Sequence, residues 1–274
     1  MKVKNKIGAI LANLIAILVS ASMVVPLLLI LLNAFKTSGE AAAMNLTLPK
    51  VVQWSNFAVV IERGKLIQSF MNSAIYSVFS VVLCIGLASV ASYALARNRS
   101  RVNKIIYYMI VLGIALPINF VTLLKTMQFL QINDSRIGMV LIYAATQMPF
   151  AVFLIYSFIA KLPKELDEAG FIDGATPVQL FTYIIFPVLK PVVVTAGVLT
   201  FLNTWNDFIF PLYFLNSSDK WPMTLAVYNF FGMYFKDFNL ISADIVLTSI
   251  PVVLVYLFGQ KYIVGGMISG AVKS

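Results

Sequence analysis

Four of the chain's eleven acidic residues crowd into residues 165–173, in the stretch "ELDEAGFIDGATPVQLFTYIIFPVLKP". Clustered carboxylates can act as general acids and bases or hold a metal, but both tasks need partners. The chain has no His, which removes the commonest catalytic base and metal ligand. Its one cysteine, Cys84, excludes an internal disulfide and any multi-cysteine metal site. With no nucleophile and no ligand set beside them, these acids are not read as a catalytic centre. No cofactor and no metal are expected.

The segment reads instead as a built shape. Pro163 suits the first turn of a helix. Glu165, Asp167 and Glu168 follow it, near the positive end of the helix dipole. Asp173-Gly174 is a turn dipeptide that permits a left-handed backbone. A second helix should begin at "TPVQ", with Thr176 as N-cap, Pro177 at the first helical position and Gln179 completing a capping box. Pro187 and Pro191 mark the entry to the next apolar run. The spacing predicts two short helices meeting at a glycine elbow.

The elements that must hold this elbow are apolar. The 274 residues are 60% hydrophobic and 11% charged, with a mean hydropathy of +0.90. A soluble domain is about 25% charged, so this is an all-α integral membrane protein. Ile7–Phe35, Leu66–Ala96, Ile105–Leu124 and Ile137–Ala160 carry no charge. Val188 to Leu215 carries only Lys190 and Asp207, and Ile245–Gln260 is uncharged. Each run approaches the ~20 residues that a spanning helix needs, giving six transmembrane helices. Trp221–Phe235 is shorter, contains Asn229, and reads as interfacial or re-entrant.

The formal net charge of +9 would suggest nucleic acid in a soluble protein. Here its placement sets orientation, and no nucleic-acid partner is expected. Lys2, Lys4 and Lys6 precede the first span, and Arg97, Arg99, Arg101 and Lys104 fill the loop after the second, with no acid in either. The positive-inside rule puts both in the cytoplasm. Six spans then place both termini and the elbow on that side. The uncharged run Ile7–Phe35 exceeds the 7–15 apolar residues of a signal peptide, so the first helix is expected to stay uncleaved.

"EAGFIDGATPVQLFTYIIFP" resembles the cytoplasmic signature of permease subunits of bacterial binding-protein-dependent ABC importers: Glu-Ala-Ala, three residues, Gly, nine residues, Ile, one residue, Leu-Pro. Glu168, Ala169, Gly174, Ile184 and Pro187 match it. Gly170 replaces the second alanine and Phe186 the leucine. "TWNDFIFPLYFL", "SIPVVLVYLFGQKYIVGG" and the tail "GAVKS" look like the sugar-importing branch, of maltose and multiple-sugar type.

The resemblance implies a type I ABC importer permease fold: one transmembrane domain over 1–274, with 162–187 as its coupling segment. It implies two ATPase subunits, a second homologous permease (a heterodimer), an extracytoplasmic solute-binding protein and a bacterial plasma membrane. The function implied is passage of a sugar or oligosaccharide, with ATP hydrolysed by other subunits. Glu168, Ala169, Gly170, Asp173, Gly174, Ala175 and Pro187 would form the ATPase-coupling surface, small residues allowing close approach.

Three further features are open to more than one reading. Cys84, Ala88, Ser92 and Ala96 form a four-residue repeat of small side chains that lets another helix pack closely, within the chain or from a partner subunit. Trp221, Tyr228, Phe230, Phe231, Tyr234, Phe235 and Phe238 suit a membrane interface and also a sugar ring. Trp205, Asn206 and Asp207 are candidates for the substrate path. An Asp at a helix centre costs ~2.5–3.5 kcal/mol, and the Val, Leu, Ile and Phe residues around it return ~4–8 kcal/mol. Such an acid faces a water-filled path or locks two helices together.

The competing function is an ion-coupled secondary carrier. Such carriers show several intramembrane ionisable groups and often an internal repeat. This chain offers Asp207, Asp244 and Lys125 and no visible repeat. The chain also lacks G-x-x-x-x-G-K-[ST], the closest imitation being "GMISGAVKS" from Gly266 with its lysine misplaced. The purified chain alone should therefore neither bind nor hydrolyse ATP. Turnover that survives removal of contaminating ATPases would contradict this reading.

Overall fold

The computed structural model describes residues 2–98, 100–230 and 237–271, with side chains described for 12–98, 100–230 and 237–262. Among them there is helix and no strand. Four helices are long and apolar enough to cross a membrane: Ala12–Asn33, Leu66–Arg97, Arg136–Ile159 and Phe238–Tyr262. A bent pair, Pro177–Val188 with Lys190–Asn206, has axes that differ by 76° and makes a fifth if the two pieces are counted as one broken span.

The expected third span, Ile105–Leu124, is not one helix. It is divided into Arg101–Leu112 and Phe120–Phe129. Pro117 lacks an N–H and pushes the residue before it out of the helical region. Asn119 then starts the second piece by accepting from the Thr122 N–H at 3.0 Å. The uncharged run conceals this break because hydropathy does not register it.

The fifth span also differs from its expected end near Leu215. The Lys190–Asn206 helix stops at Asp207, whose ψ of 134° is extended, and Ile209–Phe214 begins anew. At its other end, residues Leu180–Ile185 form a π-helical turn, with the Phe186 N–H reaching the Phe181 carbonyl. Pro187 and Pro191 cannot donate there, and missing donors are an established cause of kinks.

The chain divides into two units. The first comprises residues 1–67 with 226–250. Residues 12–28 of its first span are exposed. Beyond that span, Lys36 is fully buried and donates to Asn45 O at 2.7 Å, Asn45 Oδ1 at 2.9 Å and Asn33 Oδ1 at 3.3 Å. Asn56 donates to the carbonyls of Ala34 and Lys36, both at 2.9 Å, and accepts from Asn239 at 2.9 Å. A buried cation needs such partners, since its desolvation is costly. Of the loop aromatics, Tyr228 is exposed and Phe230 buried, while Phe231, Tyr234 and Phe235 lie outside the described residues.

The second unit comprises residues 68–225 with 251–274. Its core joins the Leu66–Arg97 and Arg136–Ile159 helices through Cys84, Ala88, Ala96, Ala151, Val152 and Ile155. The small-residue repeat thus packs within the chain, and Ser92 donates to the Val152 carbonyl at 3.3 Å. At the far end of these helices, Asn72, Tyr76 and Arg136 hold the backbone of residues 219–221 by hydrogen bonds of 2.7–3.1 Å.

Lys220 and Asp134 form an ion pair of 2.8 Å at that end. Burial alone would raise the Asp134 pKa. The Lys220 ammonium and the Asn216 N–H outweigh it and hold the carboxyl below its ordinary value. A depressed folded-state pKa contributes stability above the unfolded value, about 3.9, and that contribution disappears as pH falls through the folded value. The pair is partly exposed, so it contributes about 0–1 kcal/mol. Hydrogen exchange at residues 216–221, corrected for intrinsic rates, should therefore accelerate below about pH 4. In Lys220→Met it should be faster already at pH 7 and lose that acid step.

Candidate functional site

The elbow is built as the sequence predicts. Its first helix is Glu165–Ile172. Gly174 follows with φ +79°, a region that side chains other than glycine adopt at a cost. The Gly174 N–H reaches the Phe171 carbonyl at 3.1 Å and the Ala175 N–H reaches Gly170 at 3.0 Å. This is a Schellman motif, which satisfies carbonyls left over at the helix end. The capping box is present: the Thr176 N–H donates to Gln179 Oε1 at 2.9 Å, and the Gln179 N–H donates to Thr176 Oγ1 at 3.3 Å.

Two of the glycines have different jobs. A Cβ on Gly174 would meet nothing within 4 Å, so its need is conformational. A Cβ on Gly170 would lie 2.6 Å from Leu180 Cδ1 and 2.8 Å from Ile184 Cδ1. Gly170 is small so that the two elbow helices can touch, which explains the departure from alanine there. It is buried, whereas Glu168, Ala169, Asp173, Gly174 and Pro187 are exposed and Ala175 is half-buried.

The second elbow helix is rooted in the bundle. Leu180, Ile185 and Leu189 are fully buried, in one cluster with Val152, Ile155, Ile159 and Ala96. The opposite surface is apolar and open: Phe171 is 56% exposed, Ile172 85%, Val178 71% and Tyr183 77%. Large apolar side chains are exposed along the spanning helices as well, so exposure here is compatible with lipid as well as with a protein partner. Sequence reasoning emphasised the small residues and missed these large ones, although Ile172 adjoins the Asp173-Gly174 turn.

One acid of the cluster faces inward. Asp167 is buried, accepts from Tyr93 Oη at 2.6 Å, and pairs with Arg97 Nη2 at 2.7 Å. Arg97 also donates to the carbonyls of Leu162 at 3.1 Å and Pro163 at 3.3 Å. Arg97 reads in the sequence as a topology signal. Its partner lies 70 positions away, so no local pattern announces the pairing.

The Trp205-Asn206-Asp207 triplet does not act as one surface. Trp205 is buried, stacked on Phe201 at 5.4 Å and edge-on to Phe70 at 5.8 Å. Asn206 is exposed. The Asp207 carboxylate accepts from Tyr143 Oη at 2.9 Å and from the N–H groups of Phe210 at 3.0 Å and Ile209 at 3.3 Å. Those N–H groups belong to the start of the Ile209–Phe214 helix, so Asp207 caps the element that its own break creates. The geometry favours the polar lock. A polar pair unremarked in the sequence, Asn203 Nδ2 to Gln147 Oε1 at 3.1 Å, joins two crossing helices nearby.

Residues 85–269 match the profile of the family "Binding-protein-dependent transport system inner membrane component". The chain belongs to this family. It is 31% identical over 97% of its length to the diacetylchitobiose uptake system permease protein NgcG of Streptomyces coelicolor, covering 89% of that protein. It is 32% identical to the melibiose/raffinose/stachyose import permease protein MelC of Bacillus subtilis, covering 95% of both chains. The multiple sugar-binding transport system permease protein MsmG of Streptococcus mutans is 31% identical over the full length of both. A chain in the crystal structure of a bacterial ABC transporter involved in the import of the acidic polysaccharide alginate has the same fold. Its TM-score is 0.84 at 21% identity, over 94% of this chain and 97% of that one.

Steric and conformational demands at the two glycines give separate expectations. Gly174→Val should cost ~1–2 kcal/mol through backbone strain. Gly170→Val should cost ~1–3 kcal/mol through overpacking against Leu180. Gly174→Asn, which tolerates the left-handed region, should be milder than Gly174→Val. Thermal unfolding and hydrogen exchange across residues 165–189 check the order, and equal behaviour of Asn and Val at 174 would contradict it.

Proposed function

We propose that this chain is a permease subunit of an ATP-driven importer that moves a sugar or oligosaccharide delivered by an extracytoplasmic binding protein. One observation carries the reading. The chain aligns over nearly its whole length with permeases named for sugar uptake, and the family assignment removes the ion-coupled carrier. The partners proposed are two ATPase subunits and a second, homologous permease.

The elbow, residues 162–187 of a single transmembrane domain spanning 1–274, is the coupling segment in this reading. Its exposed Phe171, Ile172, Val178 and Tyr183 supply apolar contact to an ATPase cleft. Glu168 and Asp173, also exposed, sit at its rim. Rim charges mostly steer association, while fit at the buried centre of a contact sets its strength. Ala169, Gly174 and Ala175 keep the backbone accessible, Gly170 keeps the elbow tight, and Pro187 helps set the bend into the membrane.

The topology proposed is six passes with both termini cytoplasmic, Arg101–Leu112 and Phe120–Phe129 together forming a broken third pass. Asn206 lines the sugar path, and Trp205 and Asp207 shape that wall from behind it. Exposed amides in crossing helices suit sugar hydroxyls, since polar groups at membrane depth must face water, ligand or protein.

The transporter assembled with its co-encoded subunits should take up a sugar into vesicles only with ATP and binding protein together. Uptake driven by an ion gradient without ATP would overturn the proposal. Asp207→Ala should lower assembly or expression more than Asp207→Asn, which keeps one acceptor oxygen. Asn206→Ala should leave assembly intact and alter uptake. Assembly and uptake both unchanged in Asn206→Ala would remove that residue from the path.

A further inference from the structure

Tyr93, Arg97 and Asp167 link two elements that the chain does not join directly. Tyr93 and Arg97 stand in the last turns of the Leu66–Arg97 helix, and Asp167 in the first elbow helix. The contacts are a 2.6 Å hydroxyl–carboxylate bond, a 2.7 Å ion pair, and two guanidinium bonds to the backbone just before the elbow. The Tyr93 ring also lies 5.4 Å from Phe181 in the second elbow helix. The end of this span therefore holds both elbow helices and the backbone that enters them. Both charged side chains are largely shielded, at 15% and 12% exposure, and a hydroxyl–carboxylate bond as short as that of Tyr93 is among the strong ones.

Neither covalent route from the elbow leads directly to the Leu66–Arg97 helix: one runs back through residues 160–164 into the Arg136–Ile159 helix, and the other runs forward. The forward route passes the 76° bend into the Lys190–Asn206 helix, and its π-helical turn and prolines make that bend a place where motion can be absorbed. The Tyr93–Arg97–Asp167 cluster joins the elbow to the Leu66–Arg97 helix across both connections. We propose that this cluster is a transmission clamp, through which displacement of the elbow moves the Leu66–Arg97 span, so that the three side chains position the membrane gate without touching either sugar or nucleotide. The proposal rests on the reading of the elbow as the coupling segment.

The clamp separates docking from transmission. Asp167 is turned away from the exposed apolar surface, so removing it leaves that surface present. The test uses the complete transporter with its ATPases and binding protein in vesicles. Asp167→Asn, Arg97→Ala and the double variant are compared with the parent, and Tyr93→Phe serves as a variant that removes one hydroxyl and no packing. Co-purifying ATPase and binding-protein-stimulated hydrolysis should stay within about twofold of the parent. Sugar imported per ATP should fall about tenfold in Asp167→Asn and Arg97→Ala, within the range by which residues along a coupling route change coupling. The double variant should be no worse than the poorer single one, because both break the same link. Tyr93→Phe should show a smaller loss in the same ratio.

An unchanged ratio in Asp167→Asn and Tyr93→Phe would overturn the clamp. So would a loss explained wholly by reduced ATPase attachment, which would make these residues supports of the docking surface. A parent chain that neither retains ATPase nor imports sugar would instead refute the importer reading itself, so the two failures are distinguishable.

Discussion

The architecture depends on the burial of three side chains in and just after a short helical segment. Leu180, Ile185 and Leu189 have no exposure, and they pack the second elbow helix into the same cluster that holds two spanning helices together. Apolar burial from water contributes about 1.5–3 kcal/mol per large side chain. Between helices within lipid that driving force is absent, and close packing takes its place. The small residues Ala88, Ser92 and Ala96 and the large ones of the elbow meet at that changeover.

The rest of the elbow follows from that anchoring. With the second helix fixed, the first can only fold back upon it, and Gly174 and Gly170 permit the reversal and the contact. Folding back exposes Phe171 and Ile172 and turns Asp167 inward to Arg97 and Tyr93. One face of the segment is thereby committed to the bundle and the other remains free for a partner. Breaking the Arg97–Asp167 pair would strand a shielded charge, which is costlier than the pair's net contribution to stability.

Much of this was legible in the sequence because it is local. Thr176, Pro177 and Gln179 spell a helix start, and Asp173-Gly174 spells a turn, each within a few residues. The helical class and the apolar spans followed from composition and charge spacing. What stayed hidden was non-local or unregistered by hydropathy. The choice of Asp167, rather than Glu165 or Glu168, as the inward acid depends on an arginine 70 positions away. The break at residues 113–119 contains visible punctuation in Gly113 and Pro117, yet it sits within an uncharged run. Asp207 reads as an expensive intramembrane charge, and only the helix break at its own position supplies the N–H donors that satisfy it.

The central claim is that the elbow and the Arg97 end of the Leu66–Arg97 span move as one body. Spin labels at the exposed positions Asn98 and Glu165, in a Cys84→Ala background of the assembled transporter, measure this directly. Their distance distribution should be the same without nucleotide and with ATP trapped, while the distance from Glu165 to a label on the docked ATPase's partner permease changes between those states. A shift in the Asn98–Glu165 distance between the two states would contradict the account.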